Sequence, residues 1–124
     1  MAAAKTILIV DDDHELSDGL RAVLENQGFR VIQARDGQQG KQMVYNHRPD
    51  LMILDMMMPR RSGLEVLSAM RQEEELADIR VIVLTAQPAT REQALSAGAD
   101  IVMVKPFEPE QIAAAVEEVL ADKA

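Results

Sequence analysis

The sequence predicts an α/β protein with a doubly wound parallel sheet of five strands. Four short apolar runs show no alternation with polar residues, as is typical of strands buried on both faces; they occupy residues 7–10, 51–54, 81–84 and 101–104. Segments with helical spacing of apolar residues separate them, and such alternation of strand and helix implies a parallel sheet. With 124 residues, 48% of them hydrophobic, the chain can form one domain with a single substantial core.

The first half of the chain predicts two strands and two helices before the central strand. A strand at 6–10 leads into a helix at about 14–27, with Asp13 as its N-cap and Gly28 at its end. A shorter, more polar strand at 30–34 is expected at an edge of the sheet. Asp36 and Gly37 open a weaker second helix, in which Gly40 lowers the helical tendency, and residues 48–50 end it.

The second half continues the alternation after the central strand. Ser62 and Glu65 have the spacing of a capping box, so a third helix is predicted from there to the acidic stretch 73–75. A strand at 80–84 precedes a helix at about 89–97, which Gly98 closes. The last strand spans about 100–104. Pro109 suits the first turn of the last helix, where a missing amide has no hydrogen bond to lose.

Polar side chains that can bind ligands or react follow the strands at the points where the strands end. Asp11 and Asp12 follow the first strand, and Asp55 follows the third. Thr85 follows the fourth strand and Lys105 the fifth. In open α/β sheets, ligands bind at the carboxyl ends of the strands. The sequence therefore predicts a functional site at this edge, built from acids, a hydroxyl and an ammonium group.

The composition argues against several classes of function. A net charge of −8 and an aromatic content of 2% disfavour a nucleic-acid-binding surface. The absence of cysteine excludes thiol chemistry and zinc–thiolate sites. No apolar run approaches the roughly 18 residues of a membrane span, and the start has no signal-peptide hydrophobic region. We therefore expect a soluble cytoplasmic protein without a membrane or nucleic-acid partner.

The order of the motifs resembles the receiver domain of two-component response regulators. Asp-Asp stands at 11–12, Asp55 is followed by Met-Pro at 58–59, Thr-Ala stands at 85–86 and Lys-Pro-Phe at 105–107. The resemblance covers residues 5–120. It implies the flavodoxin-like strand order 2-1-3-4-5. It also implies a single receiver domain over residues 1–124, with no output domain on this chain.

For the site, the resemblance implies a Mg²⁺ ion beside a phosphorylated Asp55. Asp12 and Asp55 would ligate the ion directly, Asp11 mainly through water, and the backbone carbonyl of Met57 would complete the protein ligands. The residues themselves agree with this expectation, because clustered carboxylates repel one another unless a cation lies among them. Oxygen atoms are also the ligands that Mg²⁺ prefers.

As function, the resemblance implies a phosphorelay switch rather than an enzyme with a separate substrate. A histidine kinase or phosphotransfer protein would donate the phosphoryl group to Asp55. The ammonium group of Lys105 and the hydroxyl of Thr85 would stabilise the added charge. A downstream protein target would then read the surface of the fourth helix, the last strand and the last helix. A cis bond before Pro106 is expected, as receivers usually have one.

Each motif also has a structural interpretation without chemistry. Residues 11–13 can be a solvated loop and helix cap, which we prefer for Asp13. Lys105 can be a lysine whose stem packs at a strand end, and Thr85 can bind its own turn. For the whole chain, the rival functions are a Mg²⁺-dependent phosphatase-like hydrolase and an interaction module that is never phosphorylated. The hydrolase would need a further segment to close over its substrate.

Three positions depart from the common receiver pattern. Val102 stands three residues before Lys105, where receivers usually have Tyr or Phe. Met57 and Gln87 are the second residues after Asp55 and Thr85. In receivers, these last two positions influence how long the phosphate survives. We expect Val102 to affect how a signal leaves the site.

Overall fold

The computed structural model describes residues 4–56 and 63–121, over which strands and helices alternate. The strands are β1 (Thr6–Val10), β2 (Arg30–Ala34), β3 (Leu51–Asp55), β4 (Arg80–Thr85) and β5 (Ile101–Val104). The helices are α1 (His14–Asn26), α2 (Gly37–His47), α3 (Gly63–Arg71), α4 (Thr90–Ser96) and α5 (Pro109–Ala121). Within this described part of the chain, no helix combines the length and apolar character needed to cross a membrane.

The sheet confirms the predicted fold class. Its five described strands pair in parallel in the order β2-β1-β3-β4-β5. The chain moves outward from β1 to one edge and returns through β3 to the other, so the connections change direction between β1 and β3. Such a switch point leaves a crevice at the carboxyl ends of the two strands. β2 lies at an edge, as its more polar sequence predicts.

Two apolar layers explain why the strands show no polar alternation. Successive residues of a strand point to opposite faces of the sheet. Ile7 and Ile9 pack with α1 and α5 on one face, whereas Leu8 and Val10 pack with α2, α3 and α4 on the other. All five residues of β3 are buried. Since each fully buried Leu or Ile contributes roughly 2 kcal/mol, both faces of the central strands must be apolar.

The third helix ends earlier than its sequence predicts. α3 stops at Arg71, and Glu74–Leu76 forms a separate 3₁₀ turn after an extended Glu73. This turn places Leu76 in the core with 1% exposure. The helix therefore does not continue to 73–75 as expected, because the separate turn is what allows Leu76 to be buried. Ser62 lies outside the described residues, so its capping box with Glu65 stays a prediction.

The predicted helix starts and the weak second helix are explained by local contacts. Asp13 is the N-cap of α1, with its Oδ1 accepting from the amide of Leu16 at 3.2 Å. Gly40 lies within α2 at a close approach to β1. A Cβ atom at Gly40 would lie 2.9 Å from Cγ2 of Val10. The glycine that lowers helical tendency therefore allows α2 to pack against the strand that carries the acidic motif.

Candidate functional site

Three carboxylates meet at the switch point of the sheet. Asp11 and Asp12 directly follow β1, and Asp55 is the last residue of β3, the strand paired with β1. One ligand oxygen from each of these residues lies within 4.8 Å of the others. Asp11 and Asp55 are 4% and 5% exposed, while Asp12 is exposed. The structure thus brings together the acidic residues predicted from sequence.

Asp11 is held inward by its backbone and its own side chain. Its amide donates to the carbonyl of Ala34 at 3.0 Å, which continues the β1–β2 ladder past the last strand residue. Its Oδ1 accepts from the amide of Asp13 at 2.8 Å. Its Oδ2 is buried and has no hydrogen-bond partner among the described residues. A buried oxygen in this state destabilises the protein unless something binds it.

The electrostatics of Asp11 indicate what would bind there. Burial raises the pKa of Asp11 from 3.8 to about 7, the amide of Asp13 opposes this, and the carboxylate of Asp55 adds to it. The negative charge of Asp11 is therefore unfavourable in this cluster. A hard divalent cation with oxygen ligands would remove the repulsion, and the ion or a water bound to it would satisfy Oδ2. The residues present fit Mg²⁺; the predicted carbonyl ligand of Met57 lies outside the described residues.

Gly63, which no motif includes, allows a close backbone contact next to Asp55. It is the first residue of α3, and a Cβ atom there would lie 2.9 Å from the carbonyl oxygen of Asp55. The same atom would lie 2.7 Å from Sδ of Met56. Helix α3 can therefore begin directly against the end of β3. A glycine at the start of a helix soon after a strand-end acid is the sequence signal that points to this contact.

Thr85 lies beside the acidic cluster at the end of β4. It is fully buried, and β4 pairs with β3 so that Leu84 is opposite Asp55. The Thr85 hydroxyl oxygen accepts from the amide of Gln87 at 3.0 Å. The alternative interpretation from sequence, in which Thr85 binds the backbone of its own turn, is thus present: the hydroxyl oxygen is already bonded to the Gln87 amide.

Lys105 follows β5, one strand further from the acids. Its amide donates to the carbonyl of Thr85 at 2.9 Å, and its side chain is exposed. The bond between Lys105 and Pro106 is cis, as the resemblance implies. Val102 is buried in β5 opposite Val83 of β4. The predicted site residues that the structure describes therefore lie at the carboxyl ends of the strands, and Val102 lies within β5.

Comparison with known proteins agrees with this geometry. The family profile described as "Response regulator receiver domain" matches residues 7–117. The chain belongs to the response regulator receiver domain family. This receiver is 36% identical over 118 residues to the phosphate regulon transcriptional regulatory protein PhoB of Pseudomonas aeruginosa, covering 94% of this chain and 52% of PhoB.

Two solved structures support the assignment at the level of the fold. A CheY-like receiver domain protein from Methanospirillum hungatei is 28% identical, with a TM-score of 0.88 and coverage of 96% of this chain and 95% of that one. The response regulator TrrA from Thermotoga maritima, in complex with Mg²⁺-BeF, is 32% identical, with a TM-score of 0.82 and coverage of 92% and 97%.

The curated relatives are longer than this chain. The receiver spans about half the length of the curated relatives it matches first. The activities of the whole relatives therefore do not transfer to it directly. That no output domain accompanies residues 1–124 stays a prediction. The family itself establishes two-component signalling and an acidic phosphorylation site as the context for this chain.

Proposed function

We propose that this receiver accepts a phosphoryl group on Asp55, with Mg²⁺, from a histidine kinase or phosphotransfer protein. The observation that carries the proposal is the cluster of Asp11, Asp12 and Asp55, within which Oδ2 of Asp11 is buried and has no partner among the described residues. The Mg²⁺-BeF complex of TrrA supports the same reaction here, because that relative shares the fold at 32% identity.

The residues divide the reaction between them. A carboxylate oxygen of Asp55 would form the new bond to phosphorus while the phosphorus–nitrogen bond of the donor histidine breaks and its imidazole leaves with the bonding electrons. Asp12 and Asp55 would hold Mg²⁺ directly, Asp11 through water, and Met57 through its backbone carbonyl. When bound, the ion would neutralise charge that develops on the phosphoryl oxygens.

Thr85 and Lys105 complete the proposed site from the neighbouring strands. The Thr85 hydroxyl would donate to a phosphoryl oxygen, and to do so it must change its bonding to Gln87. The exposed Lys105 ammonium would turn toward the phosphoryl group and balance its charge. The link between the two residues is already present in the hydrogen bond from the Lys105 amide to the Thr85 carbonyl.

The signal would leave through the surface formed by α4, β5 and α5, which a downstream protein target would bind. Thr85 precedes α4 by one loop, and Val102 lies in β5. Because Val102 carries no ring that could turn into space vacated by Thr85, the change would pass through the backbone of the 86–90 loop instead. A cytoplasmic location and the lack of direct membrane or nucleic-acid contact complete the proposal.

Labelling with acetyl phosphate and Mg²⁺ tests the proposal. Mass spectrometry should find one added phosphate on the wild type and on Asp18→Asn, a control variant of an exposed acid on α1. It should find none on Asp55→Asn. Full labelling of Asp55→Asn would show that another residue accepts the phosphoryl group. No labelling of any form would favour the interaction module, and turnover of a generic phosphate ester would favour the hydrolase.

A further inference from the structure

At the amino ends of the strands, the side chain of Arg71, the last residue of α3, makes several hydrogen bonds to backbone carbonyls. Its Nε and one terminal nitrogen donate to the carbonyl of Gly98 at 3.0 and 2.8 Å. The other terminal nitrogen donates to the carbonyls of Ala77 and Ile79 at 3.0 and 2.7 Å. Asp100 lies 3.4 Å from the guanidinium group. We call these contacts of Arg71 the Arg71 clamp.

The Arg71 clamp fixes the C-terminal end of α4. Gly98 follows this helix with φ of +114°, and its amide donates to the carbonyl of Leu95 at 3.1 Å. The next amide, that of Ala99, donates to Ala94 at 3.0 Å. A Cβ atom at Gly98 would lie 2.7 Å from Cγ of Arg71. Only glycine therefore allows both the left-handed turn and the approach of the guanidinium group.

Asp100 attaches the Arg71 clamp to the sheet. Its Oδ2 accepts from the amide of Val81 in β4 at 2.8 Å, and its Oδ1 lies 3.3 Å from a guanidinium nitrogen of Arg80. The side chains of Arg71 and Asp100 are only 19% and 25% exposed. Such a partly buried, fully bonded guanidinium holds its geometry better than an exposed ion pair does.

Among the residues that the structure describes, the N-terminal end of α4 has no contacts comparable to those of Arg71. Its N-cap is Ala89, whose side chain makes no capping hydrogen bond. The first turn is held by backbone bonds from Thr90 to Gln87 at 3.0 Å and from Arg91 to Pro88 at 3.1 Å. Of the seven residues of α4, only Ala94 is buried. Both carbonyls that hold the first turn belong to the loop that follows Thr85.

We infer that Arg71 is a positioning residue that makes the C-terminal end of α4 a fixed pivot, so that a change at Thr85 displaces the N-terminal end of the helix. The inference rests on the proposed function, because phosphorylation of Asp55 supplies the change at Thr85. It adds that α3, which begins at the phosphorylation site, also fixes the far end of the responding helix. The first turn of α4 is therefore the part of the output surface that changes most.

Amide hydrogen exchange on the whole chain, with and without Mg²⁺ and fluoroberyllate, tests this inference. In the wild type, fluoroberyllate should change exchange at Thr90 and Arg91 by about tenfold and at Gly98 and Ala99 by less than about twofold. In Arg71→Gln, exchange at Gly98 and Ala99 should be at least about tenfold faster even without fluoroberyllate, and should then respond to it.

The matched control is Arg80→Gln, which loses a contact to the same Asp100 but none to Gly98. It should leave exchange at Gly98 and Ala99 within about twofold of wild type. Urea denaturation of each variant separates local from global opening. If Arg71→Gln does not fold, Arg71→Lys, which keeps the charge but not the forked geometry, replaces it and should give a smaller increase.

Each outcome decides one idea. Equal responses at both ends of α4 in the wild type, or Arg71 variants that match Arg80→Gln, overturn the pivot while leaving the proposed function intact. Amides near Asp55 and Thr85 that do not respond to fluoroberyllate overturn the proposed function and the pivot with it. The predicted pattern at both helix ends, lost in the Arg71 variants alone, supports the pivot.

Discussion

Replacing Asp11 by Asn should stabilise the metal-free receiver while weakening its response to Mg²⁺. The variant keeps the carbonyl oxygen that accepts from the Asp13 amide but removes the buried charge. Asp11 has a pKa raised from 3.8 to about 7 by burial and by Asp55, so the folded protein disfavours the charged form. Removing that charge should raise the free energy of unfolding wherever Asp11 would otherwise be ionised.

The sign and size of the effect of Asp11 on the free energy of unfolding follow from the linkage between proton binding and folding. Between about pH 4 and pH 7 the folded state binds more protons at Asp11 than the unfolded state, so this contribution to stability falls as pH rises. A shift of about three pKa units, at about 1.4 kcal/mol each, sets a ceiling of roughly 4 kcal/mol. Because Asp12 beside it is exposed and water reaches the cluster, we expect about 2 kcal/mol near pH 8 and almost no difference near pH 4.

Urea denaturation followed by circular dichroism, in EDTA and in millimolar Mg²⁺, measures the effect. With EDTA, Asp11→Asn should gain stability over the wild type as pH rises. With Mg²⁺, the wild type should gain more, because an ion that binds only the folded state stabilises it by mass action. Asp18→Asn should match the wild type in both. An advantage of Asp11→Asn that does not depend on pH would refute the argument from buried charge.

Three further predictions concern the edge of the sheet around the acids. Lys105→Ala should keep the fold, since the side chain is exposed, but lose the phosphorylation-dependent change in partner affinity; unchanged switching would exclude Lys105. Gly63→Ala should lower the free energy of unfolding by about 1–3 kcal/mol in urea, because its Cβ would lie 2.9 Å from the carbonyl oxygen of Asp55. In a fluoroberyllate-bound structure, Val102 should keep its rotamer while the 86–90 loop moves; a rotamer change with a fixed loop would contradict this.

The sheet and the acidic cluster could be predicted because their sequence signals are local. A strand buried on both faces must be apolar until it leaves the core, as residues 51–54 of β3 are, and Asp55 after them is then fixed at the carboxyl end of the strand. Once β1 and β3 are neighbours, Asp11 and Asp55 have to be close. The resemblance supplied the strand order, and the structure confirms it.

Other features depend on contacts between distant segments and leave weak traces in sequence. The end of α3 was predicted too late because the acidic stretch masks Leu76, whose burial sets the 3₁₀ turn. The bonds from Arg71 to Gly98 join residues 27 positions apart; Gly98 was predicted as the end of a helix, but no sequence signal connects it to Arg71. That Oδ2 of Asp11 is buried without a hydrogen-bond partner in the described part of the chain is likewise a property of the packed site rather than of the Asp-Asp pair.

Charged side chains at the carboxyl ends of the strands differ from those at the amino ends in how well they are paired. This difference suits a switch. At the carboxyl edge, Asp11 is buried beside Asp55 and Oδ2 is left without a partner among the described residues, so binding of a cation can change the energy of the site strongly. At the amino ends of the strands, the guanidinium of Arg71 is bonded to three carbonyls and lies beside Asp100, so its positive charge already has partners within the protein. Helix α3 runs from the carboxyl ends of the strands to their amino ends, and α4 is held by the side chain of Arg71 at its C-terminal end. Among the described residues, no side-chain cap holds its N-terminal end, so energy released at the acids should appear as movement near Thr85 rather than as loosening of the whole domain.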